Sequence, residues 1–590
     1  MEERSSYWQK RLINRRRVIG SGGIAALGLG AAALVGCGGD DSGSATRAPS
    51  GQTPGPSPAA AAPTYGGSLV TSVLSTVPEP IDPHRHIGSG GVSGYWPNYL
   101  DLLLEIGAGG TLKGGLAEKW ELPGDGTEVL LHIRPGVKFH NKAGAGGNRE
   151  FTTEDAAFSL NRTAGKLDPG SKALYLRAGD FGPFNRAQAV DAKTVKVTLD
   201  KPYSPFLSAV AFARNYMIPK EQTTGSTFAD YENDKTKLIG TGPFMLTGWE
   251  NDGQKVTFTK NPDYWRRDSQ GGKLPYLESH RYEFVGDASA QLAAFASKQL
   301  STTSAANKVG RQAIEAARKD AVLTKTIGNP GTPPHLRFNP NVEPFTDVRV
   351  RKALHLVLDY KDMGDSYYGE GNWAYMGHLT QIFKDEAIGP DEVAKMPGYN
   401  PATKAKDIAD AKALMAAAGH PDGGISFKIF CWPVPQLASV SIYEDMVRAK
   451  AAWEKVWPAI KVELEPQTDA PTFNTKMTSG NFQMVGYFLN FSPDAALGLA
   501  ANLGAGGARN YAKFKDDEIQ RKLDSALVEF DLKKRAVILK EIQLRAFDLV
   551  PTMWLHEPFL LRFTDPKFQG MDADFPGLDT AAGIGAWIKA

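Results

Sequence analysis

The stretch LAEKWELPGDGTEVLLHIRPGVKFHN, residues 116–141, contains a strand pattern followed at once by a turn. Val129, Leu131 and Ile133 occupy every second position, which predicts a β-strand with one buried face. A Pro-Gly pair begins two residues after Ile133, and this pair favours a chain reversal. The stretch therefore predicts a strand whose chain turns back onto its own domain.

A helix is predicted to begin shortly afterwards, in FTTEDAAFSLNR, residues 151–162. Thr152 and Asp155 have the spacing of a capping box, in which two side chains satisfy the first backbone N–H groups of a helix. Strand, turn and capped helix in this order indicate a mixed α/β domain.

Similar patterns alternate along the rest of the chain. The predicted strands are TVKVTL (194–199), KVELEP (461–466) and FQMVGYFL (482–489), the last apolar on both faces and so expected at the centre of a sheet. The predicted helices are DIADAKALMAAAGH (407–420), DDEIQRKLDSALVEF (516–530) and KKRAVILKEIQLRAFDLV (533–550). These elements predict an α/β or α+β protein with two or three domains.

Composition excludes several classes of protein. The chain has 590 residues, of which 42% are hydrophobic, and its 67 basic and 65 acidic residues leave a net charge of +2. No nucleic acid partner is expected from so small a charge. The two cysteines, Cys37 and Cys431, are too few for a disulfide framework or a cysteine-based zinc site. Cys431 lies in the strand pattern FKIFCW, which predicts a small buried apolar residue.

The N-terminus has the pattern of an exported protein. Residues 14–20, NRRRVIG, are basic, and residues 22–36, GGIAALGLGAAALVG, form an apolar run of signal-peptide length. The run is too short and too rich in glycine for a membrane-spanning helix, and an uncleaved anchor is the alternative. Its end, LVGC, resembles a bacterial lipobox, in which the cysteine, here Cys37, receives a lipid. The arginine triplet also resembles a twin-arginine export signal, although such triplets serve ordinary export too.

Residues 38–64, GGDDSGSATRAPSGQTPGPSPAAAAPT, hold almost no large apolar side chains. Such a composition predicts a disordered linker, because it offers too little apolar surface to bury. The globular body is therefore expected to begin near Tyr65.

No pattern of an active site is found. The sequence has no HExxH motif, no GxxxxGK[ST] phosphate loop, no GxGxxG that opens a helix and no GxSxG between strand and helix. His84 and His86 alternate as metal ligands can, but no further ligand accompanies them, so both are interpreted as surface-loop residues. We therefore predict no metal, no cofactor and no enzymatic activity.

Six segments, in order along the chain, carry a resemblance to a known family. They are residues 116–162, described above, with VDAKTVKVTLDKPYSPFL (190–207), GTGPFML (240–246), KNPDYW (260–265), PFTDVRVRKALHLVLD (344–359) and PGYNPATKAKDIADAKALMAAAG (397–419). Together they resemble the extracellular solute-binding proteins of family 5, the peptide, nickel and oligosaccharide receptors of ABC importers. The resemblance covers nearly all of residues 65–570. One loop, KAGAGGNRE at 142–150, is longer and richer in glycine than is usual in the family.

The resemblance implies an α/β fold of two lobes that close like a clamp, of the periplasmic-binding-protein type II in its large form with an extra domain. The expected limits are 1–37 for the signal peptide with its lipobox, 38–64 for the linker, 65–330 for the first lobe with the extra domain, 331–555 for the second lobe, and 556–590 for the return to the first lobe. The two crossing segments are expected near GNPGTPPHLRF (328–338) and MWLHEPFLLRF (553–563).

The resemblance also locates the binding cleft, in VGYFLNFSPDA, residues 485–495. Peptide receptors of the family carry an aspartate here that holds the α-ammonium of the peptide, and the alignment puts Asn490 in its place. Asparagine supplies no charge, and a buried ammonium without a counter-ion is unfavourable. Asp494 is a candidate replacement. A sugar, or another polar solute without a free amine, is the alternative ligand.

The remaining candidate ligand contacts are aromatic or polar. They are Tyr487 and Phe488 in the cleft strand, Trp432 and Gln436 after the second-lobe strand FKIFC, and Tyr95 and Trp96 in the first lobe. Aromatic side chains stack on planar or sugar faces, and glutamine forms hydrogen bonds with polar solutes. Packing within the fold is the alternative interpretation for each.

The sequence thus predicts a monomeric receptor, lipid-anchored through Cys37 on the outer face of the cytoplasmic membrane, either periplasmic or extracellular. It is expected to capture a peptide or similar solute and deliver it to an ABC permease and its ATPase. Two alternatives remain: a sensor of the same fold that presents its ligand to a membrane signalling partner, and a secreted hydrolase, for which no catalytic set is found.

Overall fold

The computed structural model describes residues 62–73, 82–85, 96–107, 111–143, 146–167, 175, 178–212, 214–223, 235–305, 307–326, 333–432, 441–467, 469–488, 492–571 and 583–589. The chain divides into two units, Met1–Pro63 and Thr64–Ala590, and every element below belongs to the second. The predicted signal peptide, Cys37 and nearly all of the predicted linker lie outside the described residues.

The strands of the described residues are β1 (Ser68–Val73), β2 (Leu104–Ile106), β3 (Leu112–Gly114), β4 (Ala117–Glu121), β5 (Glu128–Ile133), β6 (Phe184–Ala189), β7 (Thr194–Leu199), β8 (Phe244–Glu250), β9 (Lys255–Lys260), β10 (Ser279–Phe284), β11 (Thr302–Ala305), β12 (Val322–Thr326), β13 (Pro334–Phe338), β14 (Trp373–Ala374), β15 (Ser426–Cys431), β16 (Lys461–Pro466), β17 (Met484–Phe488), β18 (Thr552–Trp554), β19 (Glu557–Pro558), β20 (Leu560–Thr564), β21 (Phe568–Gln569) and β22 (Trp587–Ile588).

The α-helices of the described residues are α1 (Trp96–Tyr99), α2 (Thr153–Thr163), α3 (Phe206–Val210), α4 (Ala288–Ala296), α5 (Lys308–Ala317), α6 (Val348–Val357), α7 (Tyr360–Tyr367), α8 (Pro390–Val393), α9 (Lys404–Ala417), α10 (Ile442–Val456), α11 (Ala470–Ser479), α12 (Ala495–Leu503), α13 (Asp517–Ala526) and α14 (Leu532–Leu549). Within the part of the chain that the structure describes, no helix is both long enough and apolar enough to cross a membrane.

The stretch that opened the sequence analysis forms a four-stranded sheet with the order β4-β5-β7-β6. Val129, Leu131 and Ile133 are buried on β5, as predicted from their alternation. The turn after β5 brings Phe139 back into the same core. The capping box at the start of α2 is confirmed, since the Thr152 side chain accepts from the Asp155 backbone N–H and the Asp155 carboxylate accepts from the Thr152 backbone N–H.

Two larger sheets form the centres of two lobes. The first has the order β12-β20-β11-β1-β10-β9-β8, and the second has the order β16-β15-β17-β13-β18. In the second sheet β15 runs parallel to β16 and β17, whereas β13 runs antiparallel to β17 and β18. The predicted strand 482–489 is confirmed as the central strand β17. Cys431, at the end of β15, is buried and free, as predicted.

The predicted helices are confirmed with small changes at their ends. The segment predicted as 407–420 is helix α9, which is followed by Gly419 in the left-handed region at φ 93°. The predicted pair 516–530 and 533–550 corresponds to α13 and α14. The α/β class predicted from sequence is therefore confirmed.

The chain changes from one large sheet to the other in two places. It leaves the first sheet after β12 and enters the second at β13; it leaves the second after β18 and returns to the first at β20. Both changes fall within or beside the two segments where the crossings were expected. The limits predicted for the lobes, 65–330, 331–555 and 556–590, stay a prediction.

The chain between β7 and β8 touches helices α12, α13 and α14. Phe212 is buried in a cluster that also contains Leu379, Ala495, Leu499 and Leu539. Nearby in sequence, the backbone N–H and the hydroxyl of Ser204 donate to the carbonyl groups of residues 527 and 526, at 2.8 and 3.1 Å. These contacts join the segment between β7 and β8 to helices α12–α14, away from the two crossing segments.

A buried carboxylate lies where the chain returns towards the first sheet. Glu557 in β19 has no exposed surface, and its two oxygens accept from the backbone N–H of Gln381 at 2.9 and 3.0 Å. Burial raises the pKa of Glu557 from 4.5 to about 8, and the Gln381 hydrogen bond only partly opposes this. The folded protein therefore holds this proton at pH values where the unfolded chain has lost it.

We predict that Glu557 makes the protein less stable as pH rises. Because its pKa is raised on folding, its protonated form is favoured in the folded state, and the free energy of unfolding falls as pH rises from 4.5 to about 8. The Glu557→Gln variant has no carboxyl proton to lose here, so it lacks this fall in the free energy of unfolding. The melting temperature of the variant relative to wild type should therefore increase between about pH 5 and about pH 9. A difference that stays constant with pH would contradict the assignment.

Candidate functional site

The second sheet brings two predicted ligand-contacting segments to the same edge. Strands β15 and β17 are parallel neighbours, with Cys431 opposite Gly486, so their carboxyl ends lie side by side. Trp432 follows β15 directly, and Phe488 ends β17. In open α/β sheets the carboxyl ends of parallel strands are where ligands bind. We call this the carboxyl edge of the second sheet.

The crossing segments meet the second sheet at this edge as well. Because β13 is antiparallel to β17, its first residue, Pro334, lies opposite Phe488, the last residue of β17. Trp554, at the end of β18, lies opposite His335. A solute at the carboxyl edge would therefore lie beside both places where the chain passes between the lobes.

Three of the predicted contacts form one aromatic cluster at the edge. The ring centroid of Trp432 lies 6.1 Å from that of Tyr487 and 6.2 Å from that of Phe488, and the Tyr487 and Phe488 rings stack at 4.4 Å. The three side chains are half-buried, while Phe473 of α11 is fully buried beneath them, 5.1 Å from Tyr487. The structure thus brings Trp432, Tyr487 and Phe488 together on a packed base. Their contact with a solute stays a prediction.

Asp494, predicted as a replacement for the missing charge, already has partners in this structure. It caps α12 by accepting from the backbone N–H of Ala496 at 2.8 Å and of Leu497 at 3.2 Å. Its carboxylate also lies 3.0 Å from the guanidinium of Arg535, and its side chain is only 2% exposed. The same guanidinium lies 2.7 Å from the carboxylate of Glu386. Binding of a ligand ammonium by Asp494 stays a prediction, one that would compete with this ion pair.

Trp96 is placed in the core of the first lobe and not on an open surface. It has no exposed surface in α1, and its ring lies 6.4 Å from Tyr216 and 5.1 Å from the guanidinium of Arg214. In this structure it offers no face on which a solute can stack. The other predicted residues, Tyr95, Gln436, Asn490 and Cys37, lie outside the described residues.

The surface-loop interpretation of His84 is wrong. The residue is 1% exposed, its Nε2 lies 2.8 Å from the carbonyl of residue 216, and its Nδ1 lies 2.9 Å from the guanidinium of Arg162. Burial, with a smaller effect of Arg162, lowers the pKa of His84 to about 4. It is therefore a neutral core residue. His86 lies outside the described residues, and among the described residues no three His, Cys, Asp or Glu side chains are grouped to hold a metal.

The sequence analysis missed polar residues that line a recess next to the aromatic cluster. The recess is narrow, with a cavity volume of only about 10 Å³, and it is lined by His335, Arg337, Met477, Val485, Tyr487, Phe488, Asn502, Arg509 and Tyr511. His335 and Arg337 lie two residues apart on β13, so they share a face of the sheet. Burial lowers the pKa of His335 well below its usual value. An arginine within the buried strand PHLRF was the available sequence signal.

Comparison with known proteins agrees with the family resemblance found in the sequence. The family model described as bacterial extracellular solute-binding proteins, family 5 Middle, matches residues 111–509. The chain is 26% identical over 502 residues to heme-binding protein A of Haemophilus influenzae, covering 82% of this chain and 86% of that protein. It is 25% identical over 506 residues to di/tripeptide-binding protein 2 of Pseudomonas aeruginosa, covering 82% and 88%.

A solved structure is similar over almost the whole described body. It is the crystal structure of a dipeptide-binding protein from Pseudoalteromonas sp. SM9913 in complex with Met-Leu, with a TM-score of 0.69 and 21% identity. The match covers 89% of this chain and 100% of that chain. The two-lobed clamp fold predicted from sequence is therefore confirmed.

We predict that Asp494 stabilises the protein without any added solute. Asp494→Asn keeps a capping oxygen but loses the charge opposite Arg535, so the free energy of unfolding should fall by about 2 kcal/mol. Asp531 is the matched control, because it caps α14 on the surface by accepting from the backbone N–H of Lys533 and Lys534. Asp531→Asn should change stability much less, because asparagine also caps helices and no buried ion pair is lost. Denaturant unfolding without solute measures both, and equal midpoints for Asp494→Asn and wild type would contradict the prediction.

Proposed function

Because the chain belongs to the bacterial extracellular solute-binding proteins of family 5, we propose that it captures a peptide or similar small solute outside the cytoplasmic membrane and delivers it to an ABC import permease and its ATPase. The observation that carries this proposal is the convergence of Trp432, Tyr487 and Phe488 at the carboxyl edge of the second sheet. Half-buried aromatic rings on a packed base suit the capture of a small organic solute.

The proposal includes closure of the two lobes over the solute, with 65–330 and 556–590 forming one lobe and 331–555 the other. A solute that touches both lobes binds the closed state better and so shifts the population towards it. Membership of a family of solute-binding proteins supports a receptor and not an enzyme. A monomer suffices for this action.

Two classes of solute are candidates: those with a free amine, such as peptides, and those without one. Relatives are named for di- and tripeptides and for heme. The resemblance to the family aligns Asn490 with the aspartate that holds a peptide's ammonium, and Asp494 is paired with Arg535. This pairing favours, as a second candidate, a solute without a free amine, such as an oligosaccharide or a blocked peptide. A sensor that presents the same solute to a membrane signalling partner would use the same cleft.

The solute is to be identified from the purified full-length protein. We expect mass spectrometry of the denatured protein to reveal a co-purified solute. In thermal-shift assays with free and N-acetylated di- to hexapeptides and oligosaccharides, one class should stabilise the protein, by about 2.7 kcal/mol at 100 times its Kd. Trp432→Ala should weaken binding, whereas Phe530→Ala, which removes an exposed aromatic ring of the α13–α14 turn, should not. No binding from any class would overturn the proposed function.

We also propose that Cys37 carries a lipid that holds the protein at the outer face of the membrane. The support is the order of basic segment, apolar run and cysteine in residues 14–37. In cells that express Cys37→Ala, the protein should leave the membrane fraction for the soluble extracytoplasmic fraction. Cys431→Ala is the matched control, because Cys431 is buried in the second sheet, and this variant should remain membrane-bound. Retention of Cys37→Ala in washed membranes would instead support an uncleaved N-terminal anchor.

A further inference from the structure

The N-terminal end of the globular body joins the fold beside β22. The hydroxyl of Thr64 donates to the carbonyl of Ile588 in that strand. Two residues later, the backbone N–H of Gly66 donates to the carbonyl of Tyr276 at 2.9 Å. Between these two hydrogen bonds lies Tyr65, whose side chain is 56% exposed. An exposed aromatic ring is therefore fixed at the place where the N-terminal segment meets the body.

Lysine residues hold and surround this ring. The hydroxyl of Tyr65 donates to the backbone carbonyl of Lys273 at 3.0 Å. The ammonium group of Lys260, at the end of β9, lies 4.7 Å from the centroid of the Tyr65 ring. The ring thus has a defined position, with a positive charge over it.

More basic side chains lie on either side of Tyr65. Arg267 and Lys273 form an antiparallel bridge, so their exposed side chains lie on the same face of the turn between them. On the other side, the backbone N–H of Lys589 donates to the carbonyl of Lys567 at 2.8 Å, and both lysines are exposed. We call this surface the exit patch; it consists of Tyr65, Lys260, Arg267, Lys273, Lys567 and Lys589.

The positive charges of the exit patch have no local counter-ions. In the part of the chain that the structure describes, none of its basic side chains forms an ion pair with an Asp or Glu. Exposed lysines elsewhere do so: Lys406 pairs with Asp410 at 2.9 Å, and Lys428 pairs with Glu463 at 3.0 Å. The charges of the exit patch are therefore available to an external anion.

Acidic residues beside the exit patch do not offset its charge. Asp268, in the turn between Arg267 and Lys273, accepts instead from the hydroxyl of Tyr276 and from the backbone N–H of Gly272. Asp263 and Glu278 are the other acidic residues next to this turn in sequence. Basic residues outnumber these three carboxylates, so the surface keeps a net positive charge.

The chain that precedes Tyr65 indicates which anionic partner comes within reach. Cys37, the proposed site of the lipid, is followed by the predicted linker of residues 38–64, and a coil of that length spans about 30 Å. The exit patch is thus the part of the body that the proposed anchor keeps nearest to the lipid headgroups. Anionic headgroups attract basic side chains within about 10 Å, and tyrosine favours the boundary between membrane and water.

We propose that the exit patch contacts the headgroups of anionic lipids, with Tyr65 at the membrane–water boundary and the lysines beside lipid phosphates. The proposal rests on the proposed lipid anchor and adds a second attachment to it. A lipid combined with a basic surface is a recurrent pair of membrane-binding signals. Two attachments hold the body against the membrane in one orientation, whereas a lipid on a linker alone leaves its orientation open.

The test uses the full-length protein, purified from membranes, in vesicles of phosphatidylcholine with about one third phosphatidylglycerol. Some headgroups carry a quencher, and the protein carries one fluorophore on an introduced cysteine. Gln270→Cys places it in the exposed turn between Arg267 and Lys273, and Thr475→Cys places it on the exposed side of α11 as the control. Cys431 is buried and is not labelled. Quenching is expected at position 270 and not at position 475.

Two matched pairs of substitutions test the role of charge. Lys273→Gln with Lys567→Gln should lower the ratio of contacting to free exit patch about 25-fold, since each lysine near an anionic surface contributes roughly a fivefold factor. Lys406→Gln with Lys428→Gln removes the same charge from exposed lysines elsewhere and should leave quenching unchanged. Vesicles of phosphatidylcholine alone should give little quenching.

Each result decides the proposal. Quenching at position 270 alone that needs phosphatidylglycerol, is lost with Lys273 and Lys567 and persists in the control pair supports it. Equal quenching at both positions, no quenching, or quenching that survives loss of the two lysines overturns it. The intact mass separates this failure from failure of the anchor. A free Cys37 thiol that takes a second fluorophore overturns both proposals, whereas failure of the exit patch alone leaves a lipidated protein on the vesicles.

Discussion

The antiparallel pairing of β13 with β17 is the constraint on which the binding region depends. β13 is the first strand after the chain leaves the first sheet, and it is inserted between β17 and β18. The register places His335 opposite Tyr487 and Arg337 opposite Val485. A slip by one residue would turn both polar side chains to the other face of the sheet, where Gly486 faces Ile442 and Met446 of α10. The recess that His335 and Arg337 line therefore depends on the register of β13 with β17.

Register is held by packing on both faces of the second sheet. On one face, Phe430 and Val485 pack with Phe473 and Phe482 beneath the aromatic cluster. On the other, Phe338 and Phe427 pack with Phe345, at ring distances of 4.8 and 5.0 Å from it. Side chains fixed in this way would lose little further freedom on binding a solute, so more of the contact energy would appear as affinity.

Much of the fold could be predicted because its patterns are local. The strands 194–199 and 461–466 were predicted with the bounds that the structure has, since apolar and polar residues alternate in both. The site could be predicted only in part. The cluster of Trp432, Tyr487 and Phe488 follows from the resemblance to the family, which fixes where β15 and β17 end.

The rest of the candidate site could not be predicted, because it depends on contacts between residues that are distant in the sequence. Nothing near Asp494 indicates that its partner is Arg535, and nothing near Trp96 shows that the loop around Arg214 covers it. The buried position of Arg337 was not predicted, for a related reason. A polar residue at alternate positions of a strand is normally taken to face water, and here that face is covered by α11 and by the segment around Tyr511.

The burial of Phe212 sets a free-energy cost for separating its segment from the helices that it contacts. Its ring, carried by the chain between β7 and β8, is 3% exposed among residues of α12, α13 and α14. Pulling it out would expose that ring to water at a cost of about 2 kcal/mol, which corresponds to roughly a 30-fold change in an equilibrium constant. The folded chain would then spend only a small fraction of its time with this ring outside the cluster. A smaller side chain at position 212 would lower this cost, so the segment between β7 and β8 would separate from α12–α14 more often.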